Sequence, residues 1–166
     1  TASRDGTVNI WNAESGTERL TLQGHTNTVF NLTFNSDGTH LATASGDGTA
    51  KVWDVASGRV LHTLTGHADS VSDVAFYPDD DHLTTTGWDG TTRLWSLAPS
   101  GEVYALATHQ AGVWGIALSA DGTRLATAGW DGTAKVWEIP SGTELFTLDG
   151  HGDGVWSAAF SPDGTR

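Results

Sequence analysis

Threonine, histidine and aspartate within hydrogen-bonding reach of one another are the parts of a nucleophilic site. The imidazole takes the hydroxyl proton and the carboxylate orients the imidazole. The 166-residue chain carries these residue types as four sets: His25, Thr43 and Asp47; His67, Thr85 and Asp89; His109, Thr127 and Asp131; and His151 with Thr1 and Asp5. Each set has a tryptophan attached, Trp53, Trp95, Trp137 and Trp11 respectively. Repetition weighs against catalysis, because an active site is one constellation in one cleft and this one recurs at a step of 42 residues. The expectation is a structural role and no enzyme. A metal site is disfavoured too: the periodic histidines belong to different repeats, and Asp79-Asp80-Asp81, following Pro78, reads as a solvated hairpin turn. Neither a metal nor a cofactor is expected.

The elements that must position these residues repeat with them. Trp11, Trp53, Trp95 and Trp137 are 42 residues apart, and Phe34, Phe76, Leu118 and Phe160 keep the same step, as do Leu41, Leu83 and Leu125. A period without insertions means units of equal element length. Within the unit after His25, short alternating segments at about 29–34 ("VFNLTF"), 40–45 ("HLATAS"), 49–54 ("TAKVWD") and 59–64 ("RVLHTL") predict four strands, a to d. "NSDGTH" and "GDGT" place Asp-Gly pairs between them, where a hairpin needs positive φ. With 21 glycines and no amphipathic helical pattern, the fold class is all-β.

Composition narrows the partners. A chain of this length can fold as one domain, burying roughly 70% of its unfolded surface. Eight basic against twenty acidic residues give a net charge of −12, and the pI is near 4.6. That disfavours nucleic acid and anionic membrane and favours a cationic partner. There is no cysteine, hence neither a disulfide framework nor a thiolate zinc site. No apolar run reaches membrane-span length and no signal segment precedes Thr1, so the expectation is a soluble protein, cytoplasmic before any other compartment. Methionine is absent throughout, position 1 included, and the chain is therefore expected to be processed, excised from a longer one or designed.

The stretch "LQGHTNTVFNLTFNSDGTHLATASGDGTAKVWD", from Gly24-His25 to Trp53-Asp54, resembles a repeat of the WD-repeat family, and a second copy runs from Gly66-His67 to Trp95-Ser96. The third, from Thr108-His109 to Trp137-Glu138, lacks the glycine before histidine and the aspartate after tryptophan; a fourth begins at Gly150-His151. The resemblance implies a β-propeller of four-stranded antiparallel blades around a central channel. It also implies one hydrogen-bonded chain per blade, in which the Trp53 indole donates to Thr43, Thr43 to His25 and His25 to Asp47. Linked in series, buried groups that would each cost about 1–3 kcal/mol if unpaired satisfy one another.

The ends are expected to complement each other. His151 needs a threonine, an aspartate and a tryptophan beyond Arg166, and with a gap of two residues those places fall on Thr1, Asp5 and Trp11. Residues 1–166 then form a single propeller unit in which 1–22 completes the blade begun by 151–166, with three full repeats between. Propellers resembling this repeat have usually about seven or eight blades. The expectation is half of an eight-bladed ring closed by a second copy, ahead of an excised piece of a longer propeller and of a four-bladed monomer.

Four tryptophans lie outside the periodic set. Trp88 and Trp130 precede the turn aspartate, where Arg4 and Gly46 match them; Trp114 and Trp156 follow the histidine by five residues, where Phe30 and Ser72 match them. The resemblance places both positions at the channel mouth, gathering five large aromatics on one face. Trp114 and Trp156 share strand parity with Ile116, Leu118 and Phe160, so packing between blades is the competing reading for those two. The expected function is a non-catalytic scaffold for protein or peptide recognition, with Trp88, Trp130, Trp114, Trp156, Phe30 and Arg4 as binding residues and a basic peptide as ligand. A ligand-free structural or designed scaffold and a carbohydrate-binding propeller are the alternatives.

Overall fold

A computed structural model describes residues 1–98 and 103–166. The N-terminal pair is β1 (Val8–Trp11) with β2 (Glu18–Leu22), extended by a bridge from Ala2 to Val8. Three antiparallel four-stranded sheets follow in chain order. The first holds β3 (Val29–Phe34), β4 (His40–Ser45), β5 (Thr49–Asp54) and β6 (Val60–Thr65); the second holds β7 (Val71–Phe76), β8 (His82–Gly87), β9 (Thr91–Ser96) and β10 (Val103–Thr108). The third holds β11 (Val113–Leu118), β12 (Arg124–Gly129), β13 (Ala134–Glu138) and β14 (Thr143–Leu148). This is the all-β blade architecture that the repeat predicts, with the fourth strand of the first blade displaced by one residue.

The second strand of each blade departs from simple alternation. In β4 the five residues from Leu41 to Ser45 are all buried, on both faces of the sheet. The reason is that blades stack against one another, so a strand in the middle of a blade has protein on either side. Ala42 and Ala44 on β4, with Ala50 and Val52 on β5, meet Val71 and Val74 of β7 together with Leu83 and Trp95. One repeat earlier, Val8, Ile10 and Leu22 of the N-terminal pair meet Val29, Leu41 and Trp53 in the same way. The core of the protein is thus the set of interfaces between blades.

Two of the interfaces share a close backbone approach. A Cβ at Gly6 would lie 2.8 Å from the His25 carbonyl oxygen, and one at Gly90 would lie 2.8 Å from that of His109. Their φ values of 85° and 78° are also of the kind that glycine adopts freely. Val29 N donates to Ser3 O at 3.0 Å, and three repeats later Val155 N donates to Gly129 O at 2.9 Å. Residues around Val155 therefore sit beside the third blade as the first strand of a further blade would. The row reads N-terminal pair, three blades, C-terminal segment. Residues 151–166 form no strand, since a ladder needs a neighbour and no pairing joins them to residues 1–22.

One buried carboxylate ties the innermost strands together. Asp73 on β7 accepts hydrogen bonds from Val74 N at 2.8 Å, from Asn31 Nδ2 of β3 and from Ile116 N of β11 at 3.0 Å. Burial raises its pKa to about 6, and these three donors only partly offset that.

Candidate functional site

In the first blade Trp53 Nε1 donates to Thr43 Oγ1 at 2.9 Å, and Thr43 Oγ1 lies 2.7 Å from His25 Nε2. His25 Nδ1 lies 2.8 Å from Asp47 Oδ2. Because the ionised Asp47 carboxylate can only accept, Nδ1 of the neutral ring carries the proton, Nε2 accepts from the Thr43 hydroxyl, and the indole donates to that hydroxyl's oxygen. The second blade repeats the geometry, with Trp95 to Thr85 at 2.8 Å, Thr85 to His67 at 2.8 Å and His67 to Asp89 at 3.0 Å. In the third, Trp137 to Thr127 is 3.0 Å, Thr127 to His109 is 2.7 Å and His109 to Asp131 is 3.1 Å.

These groups are not placed for attack on a substrate. Thr43, Thr85 and Thr127 are fully buried, and each hydroxyl already bridges an indole and an imidazole. Burial lowers the pKa of His25 and His67 despite the carboxylates beside them, which favours neutral rings. Burial would raise the pKa of Asp47, but hydrogen bonds from Thr49, His25 and Thr26 reverse this and bring it to about 2. Asp131 is also brought to about 2, with burial again opposed by Thr133, Gln110 and His109.

The fourth set is divided. Trp11 Nε1 donates to Thr1 Oγ1 at 3.0 Å, and Asp5 accepts from Thr7 N and Thr7 Oγ1 at 2.9 and 2.7 Å. His151 is exposed in the C-terminal segment, lining a cleft with Trp130, Asp131, Gly132, Gly152, Asp153 and Gly154. Trp11 is accordingly 45% exposed, whereas Trp53, Trp95 and Trp137 are 1%, 3% and 5% exposed. At the other end of the row, Leu148 is 52% exposed, although Leu22, its equivalent three repeats earlier, is 1% exposed.

The extra aromatics form a continuous ladder. Phe30 contacts Trp88 at 5.3 Å between ring centroids, Trp88 contacts Trp114 at 5.2 Å, and Trp114 contacts both Trp130 at 5.6 Å and Trp156 at 4.9 Å. Trp130 and Trp156 meet edge to face at 5.4 Å. Phe30, Trp88, Trp130 and Trp156 are exposed, and Trp114 is half-buried. Trp156 is exposed on the C-terminal segment, beside which no further blade stands among the described residues. Arg4 is exposed in the matching N-terminal turn, where its backbone carbonyl accepts from Thr28 Oγ1 at 3.4 Å.

Small residues make the ladder continuous. At the two intervening positions stand Gly46, whose Cβ would lie 3.3 Å from the Phe30 ring, and Ser72, buried with its hydroxyl donating to Val113 O at 2.5 Å. Between the second and third blades, Asp69, Trp88, Gly112, Trp114 and Trp130 line a cleft of about 310 Å³. Asp69 and Gly112 do not stand out in the sequence. The signal for Gly112 is the tryptophan it faces: a Cβ there would lie 3.2 Å from Trp88 Cα. Two of the aspartates after Pro78 are engaged by protein groups, with Asp79 to His82 Nδ1 at 2.8 Å in the same turn and Asp80 accepting from Ser36 N of the preceding blade at 3.1 Å.

The profile of the WD40 family, "WD domain, G-beta repeat", matches residues 16–54, 58–96, 100–138 and 142–166, most of the chain. A stretch of 42 residues, one repeat in length and 25% of the chain, is 50% identical to part of Coronin-7 of Mus musculus and 48% identical to part of Coronin-7 of Rattus norvegicus. In Coronin-7 of Homo sapiens the identity is 48% over the same length. These stretches cover only 4–5% of the relatives' own length.

Proposed function

The chain belongs to the WD40 family, whose members in general mediate protein interactions, and on that premise we propose that it is a non-catalytic recognition scaffold binding a basic peptide or protein through the ladder. The observation that carries this reading is the unbroken run of Phe30, Trp88, Trp114, Trp130 and Trp156 along one edge of the blades. Exposed aromatic clusters of this kind are unusual on a surface without a partner, and indoles dominate interface energies. An acidic chain of net charge −12 favours a cationic ligand. Arg4, exposed in the N-terminal turn equivalent to those of Trp88 and Trp130, is included in the proposed face by that equivalence alone. Labelled protein on peptide and glycan arrays tests the proposal. Basic-peptide hits that vanish on replacing Trp88 and Trp130 by alanine are expected; glycan hits alone would assign the indoles to sugar stacking, and silence on both would leave an inert scaffold.

Completion of the domain by a second copy is the second part of the reading, and it is favoured by the exposed pair Trp11 and Leu148. In closed interfaces Trp53 packs with Ile10 and Leu22. The equivalents three repeats on are Val136 and Leu148, which Trp11 of a second copy would cover while His151 reached that copy's Thr1 and Asp5. Residues 1–22 of one copy and 151–166 of the other then make one blade. Light scattering on the 166-residue chain should give twice its 17.4 kDa mass at micromolar concentration. A folded monomer would remove the second copy as the closing element.

A further inference from the structure

We propose that the cleft between the second and third blades is a cage for a methylated ammonium group, and that it takes the trimethylated side chain of a lysine in a partner peptide. The proposal rests on the recognition reading above and names the chemistry of its ligand. Trp114, half-buried, is the ring that Trp88 and Trp130 both touch, at 5.2 Å with 53° between planes and at 5.6 Å with 41°. Trp88 and Trp130 occupy equivalent turns of adjacent blades, so they flank Trp114 from two sides. Because the rings are tilted and not stacked, three indoles border one open space of about 310 Å³. The other lining residues are Gly112, with no side chain to fill the space, and Asp69, a carboxylate.

The lining decides between cations. Indole faces attract positive charge through the ring quadrupole. A primary ammonium brings three N–H donors and a guanidinium five, all of which need acceptors once water is lost. Asp69 carries the only side-chain acceptor in this lining apart from the π-faces, and one of its oxygens already accepts from Ser70 N at 2.6 Å. An unmodified lysine or an arginine entering the cleft gives up water from the donors that face the indoles, at a desolvation cost. A trimethylammonium has no donor to satisfy. Its charge is spread over methyl groups that pack as apolar surface on the indoles, and Asp69 answers the charge at short range. A sugar, ringed by hydroxyls, meets the same shortage of acceptors as lysine. The ladder continues past the cleft to Phe30 on one side and Trp156 on the other, which provides surface for residues flanking the lysine. A peptide uses that surface and a free quaternary amine does not.

The test is calorimetric titration of the 166-residue chain with a pooled set of short peptides, each with one central lysine, in three forms. The lysine is unmodified, trimethylated, or replaced by the neutral isostere in which tert-butyl stands for trimethylammonium. The trimethylated form is expected to bind at least ~10-fold more tightly than either other form, as follows from several cation–π contacts. Trp130→Ala is expected to abolish that preference with an unchanged melting temperature. Equal binding of unmodified lysine overturns the cage while leaving the face as a peptide-recognition surface. Equal binding of the neutral isostere overturns it as well, reducing the contact to apolar packing. Choline binding as tightly as the trimethylated peptide overturns the peptide as occupant. Absence of binding by all three forms removes both the cage and the recognition reading on which it rests.

Discussion

The first complete blade and the N-terminal pair contain a tryptophan, a threonine and an aspartate at identical spacings, yet the two groups end in different environments. In both, the indole donates to the threonine hydroxyl, at 2.9 Å for Trp53 and 3.0 Å for Trp11. That bond needs only two neighbouring strands, which a hairpin supplies. The imidazole is another matter. It arrives on the segment preceding the first strand of the blade, and only where that strand is paired does the histidine bridge hydroxyl and carboxylate. Trp53 is then sealed and Trp11 is left nearly half exposed. A repeat thus encodes a complete set of contacts, but each set closes only when all four strands are present.

The strongest way to break the comparison is to truncate the two indoles. Trp53→Ala should cost about 3–5 kcal/mol, the usual range for a buried tryptophan. Trp11→Ala in the dilute single chain should cost well under half of that, because much of its area already faces water. Denaturant melts of both variants over a range of protein concentration give the comparison. Under the second-copy reading the cost at Trp11 rises with concentration, and a constant cost would count against closure between copies.

Acid titration sharpens the contrast between a carboxylate governed by burial and one governed by its hydrogen bonds. Asp73 has a folded pKa of about 6 against an ordinary 3.8, so the folded state holds its proton more tightly than the unfolded state. Its stabilising contribution, on the order of 2–3 kcal/mol, is fully present below the unfolded value and is lost as pH rises through about 6. Asp131 runs the other way: with a folded pKa of about 2, its contribution is present above the unfolded value and is lost as pH falls through about 2. The neutral His25 and His67 lose stability as pH falls below their ordinary value of 6.5, which opposes Asp73 in any bulk measurement. Carboxyl-carbon NMR separates the groups. A midpoint near 6 for Asp73 and near 2 for Asp131 is expected, and an Asp73 midpoint near 4 would show that water reaches the carboxylate.

Asp131→Ala should cost about 2 kcal/mol, since it strands the buried His109 and the amide of Gln110. Asp5→Ala, which removes an exposed carboxylate that reaches no histidine and is held by Thr7 and Ser3 of its own turn, should cost far less in the single chain. Parity between the two in dilute solution would mean that the N-terminal set is complete after all. The smallest effect belongs to the ladder. Alanine at both Trp88 and Trp130 should change stability by no more than about 0.5 kcal/mol, as surface positions do, because no core cavity opens. A steep fall in melting temperature would make them packing residues.

Much of this was legible beforehand because one period governs the chain. The strand positions follow from alternation and Asp-Gly turns, and the His, Thr, Asp and Trp of each repeat from the 42-residue step. That Phe30, Trp88, Trp114, Trp130 and Trp156 lie near one another was implied by the family resemblance, and their rings do touch in series. Less visible were residues whose meaning depends on the adjacent blade. Ser72 reads as a gap in the aromatic series and is in fact a buried hydroxyl beneath it. Nothing in the repeat pattern singles out Asp73, whose raised pKa arises from its burial between β3 and β11.

What the sequence by itself determined is whatever repeats: strand lengths, turns, and the identity of the groups that satisfy one another inside a blade. These depend on contacts within one hairpin or one sheet, so the repeat, read with the family resemblance, carries them. Only the tertiary structure decided which of two identical tryptophans is buried, that Trp156 is exposed, that Asp69 and Gly112 border the same cleft as three indoles, and that one carboxylate is held near neutrality. Burial and electrostatic environment are properties of what packs against a residue from a different blade, and spacing within a repeat does not specify that neighbour.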